Sequence, residues 1–236
     1  MKAIINKIIK RSKDILDFRY TRKSFSQFGE DLIIEHALNN INEKNISYLD
    51  IGANHPCFIN NSYYFYKKGF TGTLIEPDPS LYKILKKKRP LDNILNCGVS
   101  FAGKIQTSKL YIMSNSVLNT FSLKEAKKIE EKTNFKIEKE IDIELIPINY
   151  ILKEFKILPS FISIDVEGLD YEILESFDFE KYRPALLIIE TLTYDPEIGG
   201  VKIKKIIELM INRNYIVFAD TRLNTIFIDK NRMQLK

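Results

Sequence analysis

A chain of 236 residues, 44% hydrophobic and 28% charged, has the size and composition of one ordinary globular domain with one sizeable core. No apolar run approaches the ~20 residues of a membrane helix. The opening MKAIINKIIKRSK lacks the apolar stretch and small-residue cleavage site of a signal peptide. Cys57 and Cys97 are too few for a disulfide framework and lack metal-site spacing, which points to free thiols and a cytoplasmic setting.

The net charge of +5 is unevenly placed. Residues 1–23 hold eight Lys and Arg against Asp14 and Asp17, leaving 28 positive and 29 negative charges on the rest. The chain therefore reads as a basic amphipathic N-terminal arm, 1–23, and a single near-neutral domain, 24–236. In the arm Ile4, Ile5, Ile8, Ile9, Ile15 and Leu16 recur at helical spacing between basic residues. Two uses stay open: contact with anionic lipid or a partner, peripheral to a membrane, or packing on its own domain. A near-neutral body argues against a nucleic-acid partner.

Along the domain, helix is expected over Asp31–Leu38 and strand over 46–51, which closes in Gly52. A helix over 62–68 stops at Gly69, as a glycine C-cap stops one. Strand follows at 71–76 and helix at 79–88, with Pro79 in its first turn. A short strand is expected at 93–97, extended chain at 104–113, a polar loop at 114–120 and a charged helix at 122–132. Residues 140–145 alternate acid with Ile or Leu, the pattern of a half-exposed strand. Buried strands at 161–165 and 185–190 flank a helix at 169–176, and an amphipathic helix follows at 201–212. The runs 215–219 and 225–229 are too close for a parallel crossover and must pair antiparallel. The expectation is an α/β fold whose sheet is mostly parallel with an antiparallel C-terminal strand pair.

Three strand ends carry chemistry. Tyr48-Leu49-Asp50-Ile51-Gly52-Ala53-Asn54 runs an apolar strand into an acid and a glycine turn, where open α/β sheets bind ligands. Asn54 and Cys57 stand where a dinucleotide fingerprint needs its second and third glycines, so NAD and FAD fit poorly. Glu76 ends the next strand 24 residues past Gly52, before Pro77, where a carboxylate can accept from both hydroxyls of a ribose. A glycine turn, a spaced acid and no phosphate-binding glycines suit a nucleoside without a pyrophosphate, as in S-adenosylmethionine. Asp165 and Glu190 end two buried strands, where a carboxylate is costly unless paired or functional. Glu167 and Asp170 read as helix caps.

In this order the motifs resemble the FkbM-type methyltransferases. They run from Ser26-Gln27-Phe28-Gly29-Glu30-Asp31-Leu32 through Asp50-Ile51-Gly52-Ala53-Asn54-His55-Pro56 and Asn61 to Phe70. They continue with Ile75-Glu76-Pro77, Asn119-Thr120-Phe121, Asp165-Val166-Glu167-Gly168-Leu169-Asp170 and Lys181-Tyr182-Arg183-Pro184. The resemblance implies a Rossmann-like class I methyltransferase sheet using S-adenosyl-L-methionine on hydroxyls of sugars or natural products, often in surface-polysaccharide biosynthesis. It places the cofactor loop on Asp50, Gly52, Ala53 and Asn54, the ribose acid on Glu76 beside Pro77, and the closure over the methionine end on Gln27 and Asp31. The His55-Pro56 pair departs from the acid and glycine that many members carry.

A sugar hydroxyl is a very weak acid, so its methylation calls for a base or a metal at the oxygen. Asp165, His55 and Glu190 are the candidates, and Asp165 with Glu190 could hold Mg²⁺ or Mn²⁺ instead. The acceptor expected is a sugar hydroxyl on a nucleotide sugar or surface-polysaccharide precursor. The alternatives are methylation of an amine or carboxylate on another small molecule, and a non-catalytic cofactor-binding protein. His36, Cys57 and the aromatic run Tyr63–Tyr66 read as packing.

Overall fold

Apolar residues alternate faces along the buried strands and so divide the core in two. Leu49, Ile51, Ile162, Ile164, Leu187, Ile189 and Phe227 point to one side, while Tyr48, Phe161, Leu186, Ile188, Ile226 and Ile228 point to the other. The computed structural model describes residues 21–166, 168–193 and 200–233.

Among these residues a seven-stranded sheet runs in the order β3-β2-β1-β7-β8-β10-β9. Its strands are β1 (Ser47–Ile51), β2 (Thr71–Ile75), β3 (Asn93–Leu95), β7 (Phe161–Ile164), β8 (Leu186–Glu190), β9 (Tyr215–Asp220) and β10 (Asn224–Asp229). The strands from β3 to β8 pair in parallel, and β10 pairs antiparallel with both β8 and β9, as the sequence leads one to expect. Helices α1 (Glu30–Asn40), α2 (Tyr63–Lys67) and α3 (Pro79–Lys88) cover one face. Helices α5 (Ile148–Glu154), α6 (Asp170–Ser176) and α7 (Lys204–Asn212) cover the other. Covering both faces is what lets the central strands be apolar almost throughout.

Between β3 and α5 the chain builds a second, three-stranded sheet, β4-β6-β5, from β4 (Gly98–Ser100), β5 (Gln106–Met113) and β6 (Ile137–Pro147). A 3₁₀ turn (Ser116–Leu118) and α4 (Leu123–Lys132) lie between β5 and β6. Ser122 caps α4 by accepting from the Glu125 amide, and Asp78 caps α3 by accepting from the Ser80 amide. Three expectations need correction. The strand expected at 93–97 ends at Leu95, and the unexpected β4 that follows it at 98–100 joins a different sheet. The strand expected at 140–145 extends from Ile137 to Pro147, because residues 137–145 pair with β5 and 145–147 with β4. Residues 148–154, unassigned in the sequence, form α5, whose Ile148, Ile151 and Leu152 enter the core at helical spacing. Of the arm, only Thr21, Arg22 and Lys23 are among the described residues, so its amphipathic pattern lies outside them.

A buried guanidinium ties the first half of the sheet together. Arg89, fully buried, donates from Nε to Asp92 at 2.7 Å and from its terminal nitrogens to the Tyr48 hydroxyl, Ser62 Oγ, Asn60 Oδ1 and the Pro56 carbonyl. The rings of Tyr48, Tyr63 and Tyr66 surround it. Asp92 also accepts from the Tyr48 hydroxyl and the Gly72 amide. Replacing Arg89 by Leu strands a buried carboxylate, and urea denaturation should show a loss of about 3–5 kcal/mol. A loss under about 1 kcal/mol would mean the network is not holding the fold.

Candidate active site

β1 has β2 on one side and β7 on the other, so the strand order reverses there and a crevice opens past the carboxyl ends. A cavity of about 870 Å³, continuous with solvent, occupies this place. Gly52, Asn54 and His55 line it from β1, Glu76 and Pro77 from β2, and Asp165 and Val166 from β7. Val99, Leu110, Val117 and Phe121, brought in by the second sheet and its turn, make an apolar wall. None of these four stands at a strand end or in a turn that marks it in the sequence as a site residue. Only the Asn119-Thr120-Phe121 motif pointed toward that segment.

The glycine turn is required sterically. Gly52 has φ +79°, and a Cβ there would overlap the Asp165 carbonyl oxygen. Its amide and that of Ala53 both donate to the Ile75 carbonyl, which pins the turn against β2. Asn54, at φ +47°, donates its amide to Glu76 Oε2 at 2.7 Å and its side chain to the Ser116 carbonyl at 2.9 Å. One residue thus joins the β1 turn, the β2 acid and the second sheet's loop.

Glu76 is nearly buried, with one backbone donor on each oxygen: Asn54 on Oε2 and Asp78 on Oε1 at 2.8 Å. Burial pushes its carboxyl up to about 7 despite these two amides, with Asp78 and Asp50 adding repulsion. Asp165 lies one residue past β7 and reaches solvent through the cavity. The surrounding protein, then the charge of Asp50, push its carboxyl upward. Asp170 is buried, accepts from the amides of Val166 and Gly168, and so holds the loop that carries Asp165. Desolvation, then Asp165, push it up to about 7.

The structure separates the other expected site residues into different roles. Asp50 lies beneath the loop instead of in the cavity. It is buried and accepts from Ser62 Oγ at 2.6 Å and Asn60 Nδ2 at 3.2 Å, and burial pushes its carboxyl up. Ala53 is a core residue whose carbonyl accepts from Asn60. Asp31 accepts from Ser24 Oγ, Ser26 Oγ and the Phe25 amide, which folds the segment before α1 onto the helix start. Gln27 is exposed, and neither it nor Asp31 lines the cavity.

Glu190 does not line the cavity either. It shares the parity of Leu186 and Ile188 on the α1 side of the sheet and registers with Asn224, which donates to Glu30 of α1. Among the described residues no three His, Cys, Asp or Glu side chains form a group able to hold a metal ion. Asp165 lines the cavity and Glu190 does not, so the two carboxylates expected to share a metal are not brought together there.

His55 is fixed in one tautomer. Its Nδ1 accepts from the Phe58 amide at 2.9 Å and the Cys57 amide at 3.3 Å, so the ring proton of the neutral imidazole sits on Nε2. A ring so held offers the cavity a donor on Nε2 and has no free lone pair on Nδ1. Cys97 lines the cavity, but burial, with Glu144, pushes its thiol up to about 12, and it stays an inert packing group. His36 packs on Phe218 and bonds Asn40, as its helix position suggested.

The sheet order, with its antiparallel β10 next to β8, is that of a Rossmann-like methyltransferase. The Methyltransferase FkbM domain matches residues 50–217, and the chain belongs to that family. No curated protein matches the chain. Among solved structures it is similar to a TehB-like SAM-dependent methyltransferase from Corynebacterium glutamicum, at TM-score 0.45 and 10% identity over 98% of this chain and 100% of that one. It is also similar to the 1,6-didemethyltoxoflavin-N1-methyltransferase of Burkholderia thailandensis, solved with 1,6-didemethyltoxoflavin and S-adenosylhomocysteine (TM-score 0.42, 10% identity, 94% and 87% covered). A third is an O-methyltransferase from Bacillus cereus in complex with SAH (TM-score 0.41, 11% identity, 94% and 89% covered).

The His55 assignment is open to direct measurement. Nitrogen-15 NMR of the neutral side chain should show an unprotonated Nδ1 and a protonated Nε2. The opposite pattern, or fast averaging of the two, would return His55 to the candidates for base.

Proposed function

We propose that this methyltransferase uses S-adenosyl-L-methionine to methylate a hydroxyl of a sugar or nucleotide sugar in the cytoplasm, with Asp165 taking the hydroxyl proton. The observation that carries the reading is Asp165 itself, a carboxylate open to the cavity beside the Gly52 turn and raised by its surroundings. A base matched to neutral pH is what removal of a weakly acidic proton needs.

The residues present fit the cofactor. Glu76 keeps acceptor capacity on both oxygens after its two backbone donors, as paired ribose hydroxyls require. Val99, Leu110, Val117 and Phe121 offer a flat base an apolar seat. Gly52 leaves the strand end uncovered without the further glycines that a pyrophosphate would need. When bound, the sulfonium supplies an already activated methyl group. The chain's own task is then to orient the acceptor and hold its proton. The donor on His55 Nε2 suits a second oxygen of a polyol, and Asp170 keeps the Asp165 loop in place.

Glu76 gives the reading a pH signature. Its carboxyl titrates near 7 in the free protein, and hydroxyl donors favour the ionised form, so its bound pKa is lower. Affinity for S-adenosylhomocysteine should be level above pH 7 and fall by up to about tenfold per unit as pH drops below it. Calorimetry on Glu76→Gln should show binding weakened by about tenfold or more, the loss of a charged hydrogen bond, with the acid-side dependence gone. Unchanged affinity in that variant would remove Glu76 from the site.

The catalytic assignment needs a separate test. Asp165→Asn should retain cofactor affinity within about threefold and lose on the order of 100-fold or more in kcat on sugar hydroxyls. A panel of nucleotide sugars with labelled cofactor measures this. Turnover only on amines or carboxylates would overturn the acceptor, and binding without any turnover would favour a non-catalytic protein.

A further inference from the structure

The charge of the folded domain is near zero in sum but not in distribution. From residue 61 to residue 92 the exposed charged side chains are Lys67, Lys68, Lys83, Lys86, Lys87 and Lys88, all positive. The acids of that stretch, Glu76, Asp78 and Asp92, are all buried, and Arg89 is buried against Asp92. Two of the lysines end α2, and three fill the last turn of α3. The two helices are neighbours on one face of the sheet, because the Arg89 guanidinium that follows α3 lies against the rings of Tyr63 and Tyr66 in α2. From α1 the acids Glu30 and Asp31 are buried, and Glu35 pairs with Lys68 and Arg22.

We propose that this α2–α3 face docks on an anionic lipid bilayer. Clustered lysines on a folded face are drawn to a negative leaflet, each contributing a modest, salt-screened share. Ile84 and Leu91, 42% and 67% exposed among these lysines, are apolar groups that enter the headgroup boundary. They have no use against a sugar-phosphate backbone. The planar groups that stack on bases are also spent here, since Tyr63 and Tyr66 already hold Arg89. The described chain begins beside this face, with Arg22 on Glu35 and Phe25 against Tyr63. The 1–23 segment, with its eight basic residues, therefore joins the domain next to the patch. The lysine-rich helix ends lie toward the amino ends of the strands, while the cavity opens past their carboxyl ends, so docking leaves the cavity free.

The test is co-sedimentation of the full chain with vesicles of phosphatidylcholine and phosphatidylglycerol, against vesicles of phosphatidylcholine alone, with single-stranded RNA as a third arm. Binding to the anionic vesicles only, falling with salt, is expected. The triple variant Lys83→Gln, Lys86→Gln, Lys87→Gln should weaken it by on the order of 100-fold. Ile84→Ser should weaken it several-fold with the same salt dependence. Cofactor affinity of each variant should match that of the parent, which separates this result from any failure of the active-site reading. Equal binding to neutral vesicles, no effect of the triple variant, or tighter binding to RNA at the same salt would each overturn the proposal.

Discussion

The active-site loop is held from below by one buried cation. Arg89 reaches the Pro56 carbonyl, Asn60 and Ser62, three points on the stretch that follows the glycine turn, while Asp92 and Tyr48 anchor it to the sheet. Asn60 and Ser62 in turn donate to Asp50. A guanidinium suits this place because its fork bonds several acceptors at fixed angles and its flat faces stack on rings, which an ammonium cannot reproduce. The loop from Gly52 to Ser62 has almost no secondary structure of its own. Its shape comes from this network, with Asn61 fastened to Ser163 of β7 as a further tie.

Above that anchor Glu76 and Asp165 line the cavity, with Asp170 buried under the loop that carries Asp165. Glu76, Asp165 and Asp170 all have their ionised forms disfavoured, first by desolvation and then by neighbouring acids. Such a group gains when a positive ligand arrives, because the ligand relieves repulsion that the protein has left in place. Arg89 lies on the far side of Asp50 and does not neutralise them. Arg89 thus bonds the underside of the loop, while Glu76 and Asp165 face the cavity on its other side.

The parallel sheet was legible because its strands are apolar on both faces and end in turn signals, as at Ile51-Gly52 and Ile75-Glu76-Pro77. Strand period and strand ends also located Gly52, Asn54, Glu76 and Asp165 in the cavity. Sequence pattern could not separate the carboxylates that face a ligand from those that face the protein. Asp50 and Glu190 look like Asp165 in sequence, each at or near the end of an apolar strand. Their surroundings differ: Asp50 accepts from Ser62, and Glu190 stands in register with Asn224, away from the cavity. The second sheet was hidden for another reason. β4 lies three residues past β3 but pairs with β6, nearly fifty residues on, and β6 pairs in turn with β5, so Val99 and Leu110 reach the cavity through long-range pairings.

His55 shows how a local contact can decide a chemical role that composition leaves open. A histidine beside a ligand turn can be base, donor or metal ligand: the first and last need an unprotonated nitrogen toward the ligand, the donor a protonated one. Two backbone amides, two and three residues further on, close Nδ1 and so choose the donor. Pro56 stands between the histidine and those amides, and its carbonyl accepts from Arg89. The guanidinium that fixes the loop thus also holds the residue next to the histidine, inside the turn whose amides close Nδ1.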